Sequence, residues 1–328
     1  MKAGAIIFNN AEVELSEYDV RELRPGEVLI ESACTCISPG TELRCLRGKQ
    51  PGVPDKPYVP GYTLTGTITA SRAKKFKEGC RVSAFGAKDA GHLEIGWGGH
   101  LSHGIVDEAQ LVEIPGNVDF ADASLGVLGS IAYHGFVQSR AKKNENAAVV
   151  GLGVIGQLCA RLLAAHGVNV AGCDKSHARV NLAVDSGVKS VVGIGSVSDS
   201  LRPIFPSGVT LLVDSTGIPQ VIDDAISLLY DIPFNDSRQP FIRYVLQGSY
   251  EDSFTVDYMK AFMKQAAFIV PRSNQKRDRI AFLKMLADKK VSVTDLIHNI
   301  ERPENAAEAY ANLMVPDSVP GTIIFRWK

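Results

Sequence analysis

The chain has 328 residues, 45% of them hydrophobic and 22% charged, which is enough apolar material for the cores of two ordinary domains. Its formal net charge is -1, so no overall field draws it to nucleic acid or to an anionic membrane. No apolar run approaches bilayer length, and the apolar start at residues 1–8 is too short for a secretory signal, so a cytoplasmic protein with no nucleic-acid or membrane partner is expected.

The first third reads as strands and turns. Residues 28–33 form a strand introduced by the turn Arg24, Pro25, Gly26, Glu27. Residues 64–70, rich in Thr and Ile, form another, and residues 81–85 a third after Gly79. The stretch from Gly86 to Gly99 is glycine-rich and irregular, and residues 110–115 close the region.

From about Phe120 helices and strands alternate. Residues 121–140 read as helix, and then come strands at 147–150, 168–173, 191–192, 211–214, 243–247 and 267–270. Helices at 157–165, 178–186 and 221–229 separate them. Such alternation predicts an α/β fold with a doubly wound parallel sheet covered on both faces. The segment 231–240 reads as an inserted loop. Beyond Arg272 the reading is a helix at 278–288, a short strand near Val291, a helix at 304–313 and a strand at 322–327 that returns to the first domain.

The stretch with the clearest chemistry begins at strand 147–150 and runs through Gly151, Leu152, Gly153, Val154, Ile155 and Gly156 into a helix. In a G-x-G-x-x-G turn the first glycine permits the bend. The second lets backbone approach a pyrophosphate, and the third lets helix pack on strand. The helix N-terminus offers free N–H groups to the phosphates. The next strand ends on Asp174, about twenty residues on, where a carboxylate accepts hydrogen bonds from an adenosine ribose. A 2′-phosphate beside that carboxylate is repelled, so NAD is favoured over NADP. Lys175, His177 and Arg179 soften the preference or form a solvated basic cluster. Of the six cysteines, Cys34 and Cys36 share one face of a strand but lack a second Cys or His pair at zinc spacing, so they read as buried thiols.

The order of these elements resembles the medium-chain dehydrogenase/reductase superfamily, which includes the zinc alcohol dehydrogenases. The resemblance rests on residues 24–30, 37–42, Pro60 with Gly61 and Gly66, 98–102, 132–135, the glycine turn, 213–217 and 305–310. It implies a GroES-like, strand-rich catalytic domain at 1–119, a Rossmann domain at 120–272 and a return to the catalytic domain at 273–328. It also implies a homodimer formed through the strand near Phe268. Residues 37–42, 58–62, 258–266 and 306–310 are similar to the bacteriochlorophyllide dehydrogenase branch, whose members oxidise a hydroxyethyl group on a tetrapyrrole.

The departures are informative. Where zinc members carry a ligand Cys this chain has Ser38, and where they carry Gly-His-Glu it has Gly61, Tyr62 and Thr63. The third ligand position falls near Leu128, and the four-cysteine structural lobe is replaced by residues 86–98. Ser, Tyr and Leu cannot build an N/S tetrahedral site, so no zinc is expected.

Without a metal, a side chain must polarise the reacting oxygen and move a proton. Tyr62 is a candidate donor or acceptor if coenzyme charge lowers its pKa; the alternative is a packed ring with a satisfied hydroxyl. Ser38 and Thr41 can bond substrate or nicotinamide ribose, or serve only the turn at Pro39 and Gly40. Glu42 is a base, an orienter of Arg44, or half of a surface ion pair. His100 and His134 are relay candidates or structural histidines, and Trp97 walls a pocket or caps a loop. By resemblance, Thr216, Gln247 and Gly248 approach the nicotinamide, and the backbone at Ile269 serves its carboxamide. The expected activity is zinc-independent, NAD(P)-dependent interconversion of a secondary alcohol (polyol, sugar or cyclitol) and a ketone. A hydroxyethyl-tetrapyrrole dehydrogenase, an enone or quinone reductase, and a non-catalytic nucleotide-binding sensor are the alternatives.

Overall fold

The computed structural model describes residues 1–193, 195–235, 240–250, 253–272 and 275–328. Positions 236–239 of the inserted loop at 231–240 therefore lie outside the described residues. The chain forms two compact units, Met1–Ser130 with Gln275–Lys328, and Ile131–Asn274.

The first unit is organised on the strand Glu27–Cys36. It pairs antiparallel with Leu64–Ser71, with His103–Asp107 and with the C-terminal strand Thr322–Arg326. The seven-stranded sheet is completed by Ile297–Glu301, Arg81–Ala84 and Val112–Glu113. Gly66 is needed here, because a Cβ on it would lie 2.1 Å from the Glu31 carbonyl oxygen of the neighbouring strand. A four-stranded sheet holds Glu12–Asp19, Lys2–Asn9, Tyr58–Val59 and Glu94–Ile95. Its hairpin turns through Asn10 and Ala11, both at positive φ (47° and 69°). A core of Ile7, Val28, Ile30, Val59, Leu64 and Leu101 draws on both sheets.

The second unit is a six-stranded, all-parallel sheet in the order Lys189–Val192, Asn169–Asp174, Asn146–Val150, Leu211–Asp214, Arg243–Leu246, Ala267–Ile269. Numbered along the chain this is 3-2-1-4-5-6, the Rossmann order. The strands are near-continuous apolar runs because helices cover both faces.

Two expected elements differ. The helix at 121–140 is broken at Leu125 into Phe120–Ser124 and Gly126–Ser139, and Asp119 caps the first piece by accepting the Asp122 N–H at 2.8 Å. No strand forms near Val291. Val291 and Val293 are buried in irregular chain, and the pairing strand is Ile297–Glu301. A three-residue apolar alternation is too short to distinguish side-chain burial from strand pairing. Among the described residues no helix is long and apolar enough to cross a membrane.

Candidate functional site

In the second unit the glycine turn can be taken atom by atom. Gly151 has φ +81° and donates its N–H to the Cys173 carbonyl at 2.9 Å, tying the turn to the neighbouring strand. A Cβ on Gly156 would sit 1.8 Å from the Gly151 carbonyl oxygen, so only glycine lets the helix Val154–Ala165 approach. A Cβ on Gly153 would meet nothing within 4 Å, and its backbone (φ −65°, ψ −177°) suits any residue. The open space at Gly153, next to the free N–H groups of the helix start, is the room a pyrophosphate needs. The side chain of Leu152 is buried between strand and helix layers, while Ile155 and Gly153 are half-exposed.

Asp174 ends its strand nearly buried, at 7% exposure. Its Oδ2 accepts the Leu152 N–H at 2.6 Å and its Oδ1 accepts the Ser176 N–H at 2.9 Å. Each oxygen keeps a lone pair for a ribose hydroxyl. Lys175 and His177 are exposed, but Arg179 lies 3.8 Å from Asp174 Oδ2 and so is not merely part of a solvated cluster. Thr216 is held by Asp214, which accepts from both its N–H (2.9 Å) and its hydroxyl (2.6 Å). Gln247 and Gly248 both donate backbone N–H groups to the Asp214 carbonyl at 2.8 Å. Ile269 pairs with Val245 on the edge strand, and His134 is buried. These residues fit a dinucleotide; when bound it supplies or accepts the hydride.

In the first unit Ser38, Thr41, Glu42, Tyr62 and His100 come together. Ser38 precedes the helix Pro39–Leu46, whose first residue is pre-set by proline. Thr63, one residue after Tyr62, accepts the Cys36 N–H at 2.6 Å and donates to the Cys36 carbonyl at 2.9 Å. That clamp sets Tyr62 opposite Ser38, and the two hydroxyls share a hydrogen bond. The Tyr62 ring stacks on Phe85 (centroids 5.4 Å, interplanar 12°) and meets Trp97 edge-on at 6.0 Å. Burial pushes the Tyr62 phenol up to about 12, against the Ser38 and Thr41 hydroxyls, which lower it, while the Glu42 charge adds to the rise. The expected lowering of Tyr62 is therefore absent from the protein's own environment, and this group is held as a phenol.

Glu42 corrects the surface reading. Its side chain is fully buried, accepts the Ser38 N–H (2.6 Å) and the Tyr310 hydroxyl (2.5 Å), and lies 2.9 Å from His100 Nε2. Arg44 instead donates to Gln50 Oε1. His100 is equally buried, with its Nδ1 2.8 Å from Thr35 Oγ1. Sequence reasoning missed Thr35, Tyr310 and Trp327, whose Nε1–H donates to Thr35 at 3.1 Å. Two of these lie in the C-terminal return segment, and nothing in the local pattern marks Tyr310 as a partner of Glu42 or Trp327 as a partner of Thr35.

The residues at the zinc-ligand positions do not fit the metal. Ser38 and Tyr62 offer hydroxyls already bonded to each other, and Leu128 is a buried alkyl chain. Among the described residues no group of three or more His, Cys, Asp or Glu side chains could hold a metal ion.

Residues 146–232 match the family model for the NAD binding domain of 6-phosphogluconate dehydrogenase. The chain is 25% identical over 338 aligned positions to the 2-desacetyl-2-hydroxyethyl bacteriochlorophyllide A dehydrogenase of Cereibacter sphaeroides, covering 100% of this chain and 99% of that protein. It is 27% identical over 227 positions to an alcohol dehydrogenase of Geobacillus stearothermophilus, covering 62% of this chain and 66% of that one. Its fold superposes with TM-score 0.85 on an Escherichia coli alcohol dehydrogenase solved with NADH (18% identity, 99% of both chains covered). It superposes with TM-score 0.84 on the 2R,3R-butanediol dehydrogenase of Bacillus subtilis (20% identity, 99% of both chains covered). These relatives and structural neighbours are alcohol dehydrogenase-like proteins, and the glycine turn, the Rossmann order and the strand-rich first unit agree with that likeness.

Proposed function

We propose that the protein is a zinc-independent, NAD-dependent dehydrogenase that interconverts a secondary alcohol and a ketone. The observation that carries this reading is the Tyr62 phenol, buried and bonded to Ser38 where zinc relatives place metal ligands. With a dinucleotide bound, a phenol held above neutral pH would give its proton to the ketone oxygen as hydride adds to the carbonyl carbon, and in the reverse direction the tyrosinate would take the hydroxyl proton as hydride leaves. Ser38 and Thr41 donate to Tyr62 as it gives up its proton. Asp174 favours NAD over NADP through its charge at the ribose.

For the substrate, a polyol, sugar or cyclitol carbinol suits the hydroxyl-lined site. The second reading, a hydroxyethyl group on a large planar ring, is favoured by the end-to-end match to the bacteriochlorophyllide enzyme and by the flat Tyr62–Phe85 stack. The test is NADH absorbance with NAD, a panel of polyols, sugars, cyclitols and a hydroxyethyl chlorin, after exhaustive treatment with a zinc chelator. Turnover that survives chelation supports the proposal, and the panel member turned over chooses between the two substrates. Activity abolished by the chelator and restored by zinc overturns it. NADH binding with no turnover on any member favours a nucleotide-binding sensor.

We also infer a homodimer in the cytoplasm. The edge strand Ala267–Ile269 is paired on one side only among the described residues, and Phe268, Val270, Tyr258 and Phe262 are exposed on the same unit. An unpaired edge beside exposed aromatics is what a second copy covers. Light scattering in solution distinguishes dimer from monomer.

A further inference from the structure

We propose that Glu42 and His100 are positioning residues, the end of a directed hydrogen-bond chain that begins at Trp327 and Thr35 and fixes Ser38 against Tyr62. The proposal deepens, and rests on, the role given to Tyr62 above.

The direction follows from counting protons. Trp327 Nε1 can only donate, and it donates to Thr35 Oγ1 at 3.1 Å. Among the described residues the Thr35 hydroxyl proton then has one remaining partner, His100 Nδ1 at 2.8 Å. Nδ1 is therefore the acceptor, and the imidazole proton sits on Nε2, which donates to Glu42 Oε2 at 2.9 Å. The Tyr310 hydroxyl donates to the same oxygen at 2.5 Å, and the Ser38 N–H donates to Oε1 at 2.6 Å. Every group that meets Glu42 then donates to it. Thr35, His100, Glu42 and Tyr310 are each fully buried, so water does not substitute for a missing partner.

The chain acts on Ser38 from two sides. The Glu42 N–H donates to the Ser38 carbonyl at 2.9 Å while the Glu42 carboxylate holds the Ser38 N–H, a reciprocal cap at a proline-started helix. With its backbone pinned, Ser38 can present Oγ to Tyr62 in only a narrow arc. Among the described residues the titratable groups acting on Tyr62 are Glu42 and Cys36; Ser38, Thr41, Phe85 and Trp97 beside it carry none. The charge on Glu42 thus also keeps Tyr62 protonated.

Nitrogen NMR of the histidine-labelled enzyme tests this without turnover, His100 being assigned among the seven histidines by its loss in His100→Gln. The expected result is an Nε2–H tautomer in the wild type. In Glu42→Gln the amide donor facing the ring forces the proton to Nδ1. The basic limb of the kcat–pH profile then moves to lower pH, with coenzyme affinity unchanged. An Nδ1–H tautomer in the wild type overturns the chain whatever the activity. Tautomers as expected with an unmoved basic limb overturn the positioning role and remove Tyr62 from proton transfer. Should Glu42→Gln not fold, Tyr310→Phe removes one donor at constant shape. It is expected to lower kcat about tenfold at unchanged KM for NAD, and an unchanged kcat overturns the proposal.

Discussion

The carbonyl oxygen of Gly151 lies 1.8 Å from where a Cβ on Gly156 would stand, whereas Gly153, between them in the same turn, faces nothing within 4 Å. One glycine is required by the fold, and the other meets no packing constraint. Gly156→Ala is therefore expected to destabilise the protein by about 2–4 kcal/mol, as other backbone clashes in packed interiors do. Gly153→Ala should leave unfolding midpoints unchanged and weaken NADH binding at least about tenfold, because its methyl takes the pyrophosphate's space. Denaturant curves and NADH fluorescence titrations on the two variants separate the effects. Equal stability losses would show that Gly153 also serves the fold.

Asp174 is tied to Leu152 and Ser176 and sits near Arg179. Replacing it with Asn keeps one acceptor oxygen, removes the charge and leaves the guanidinium without its carboxylate. The ratio of kcat/KM for NAD over NADP is expected to fall by about tenfold or more in Asp174→Asn, mostly through better use of NADP. An unchanged ratio would move coenzyme choice elsewhere on the second unit.

Tyr62 has an ordinary value of 10.0 when unfolded and is raised to about 12 by burial in the fold. A group raised on folding contributes stability that is complete below its unfolded value and is lost as pH climbs through the folded one. The window here is pH 10 to 12, with a loss of about 1 kcal/mol from this residue by pH 11. Tyr62→Phe removes that share, so its stability relative to wild type should rise by that amount between pH 9 and 11. Urea denaturation at the two pH values measures it. In the same variant kcat should drop at least about a hundredfold at neutral pH with coenzyme affinity intact.

The parallel sheet, the glycine turn and the carboxylate that ends its second strand were legible because each is written locally. Apolar runs of strand length alternate with helical periods, and one turn and one acidic residue occur at fixed distances from them. The same local logic failed at Val291, where three residues carry too little pattern, and at the hairpin through Asn10 and Ala11, whose second strand is half-solvated and polar. That residues 38 and 62 carry hydroxyls was also readable, since it depends only on which side chains are present. Their environment was not. Glu42 reads as a base, an orienter of Arg44 or half of a surface ion pair, yet it is buried beside Tyr310 and His100, which come from segments far along the chain. Sequence determines which groups can donate, accept or carry charge. Only tertiary packing decides which of them lose water together, and that loss raises the Tyr62 phenol, directs the His100 proton and turns a helix-start glutamate into an anchor.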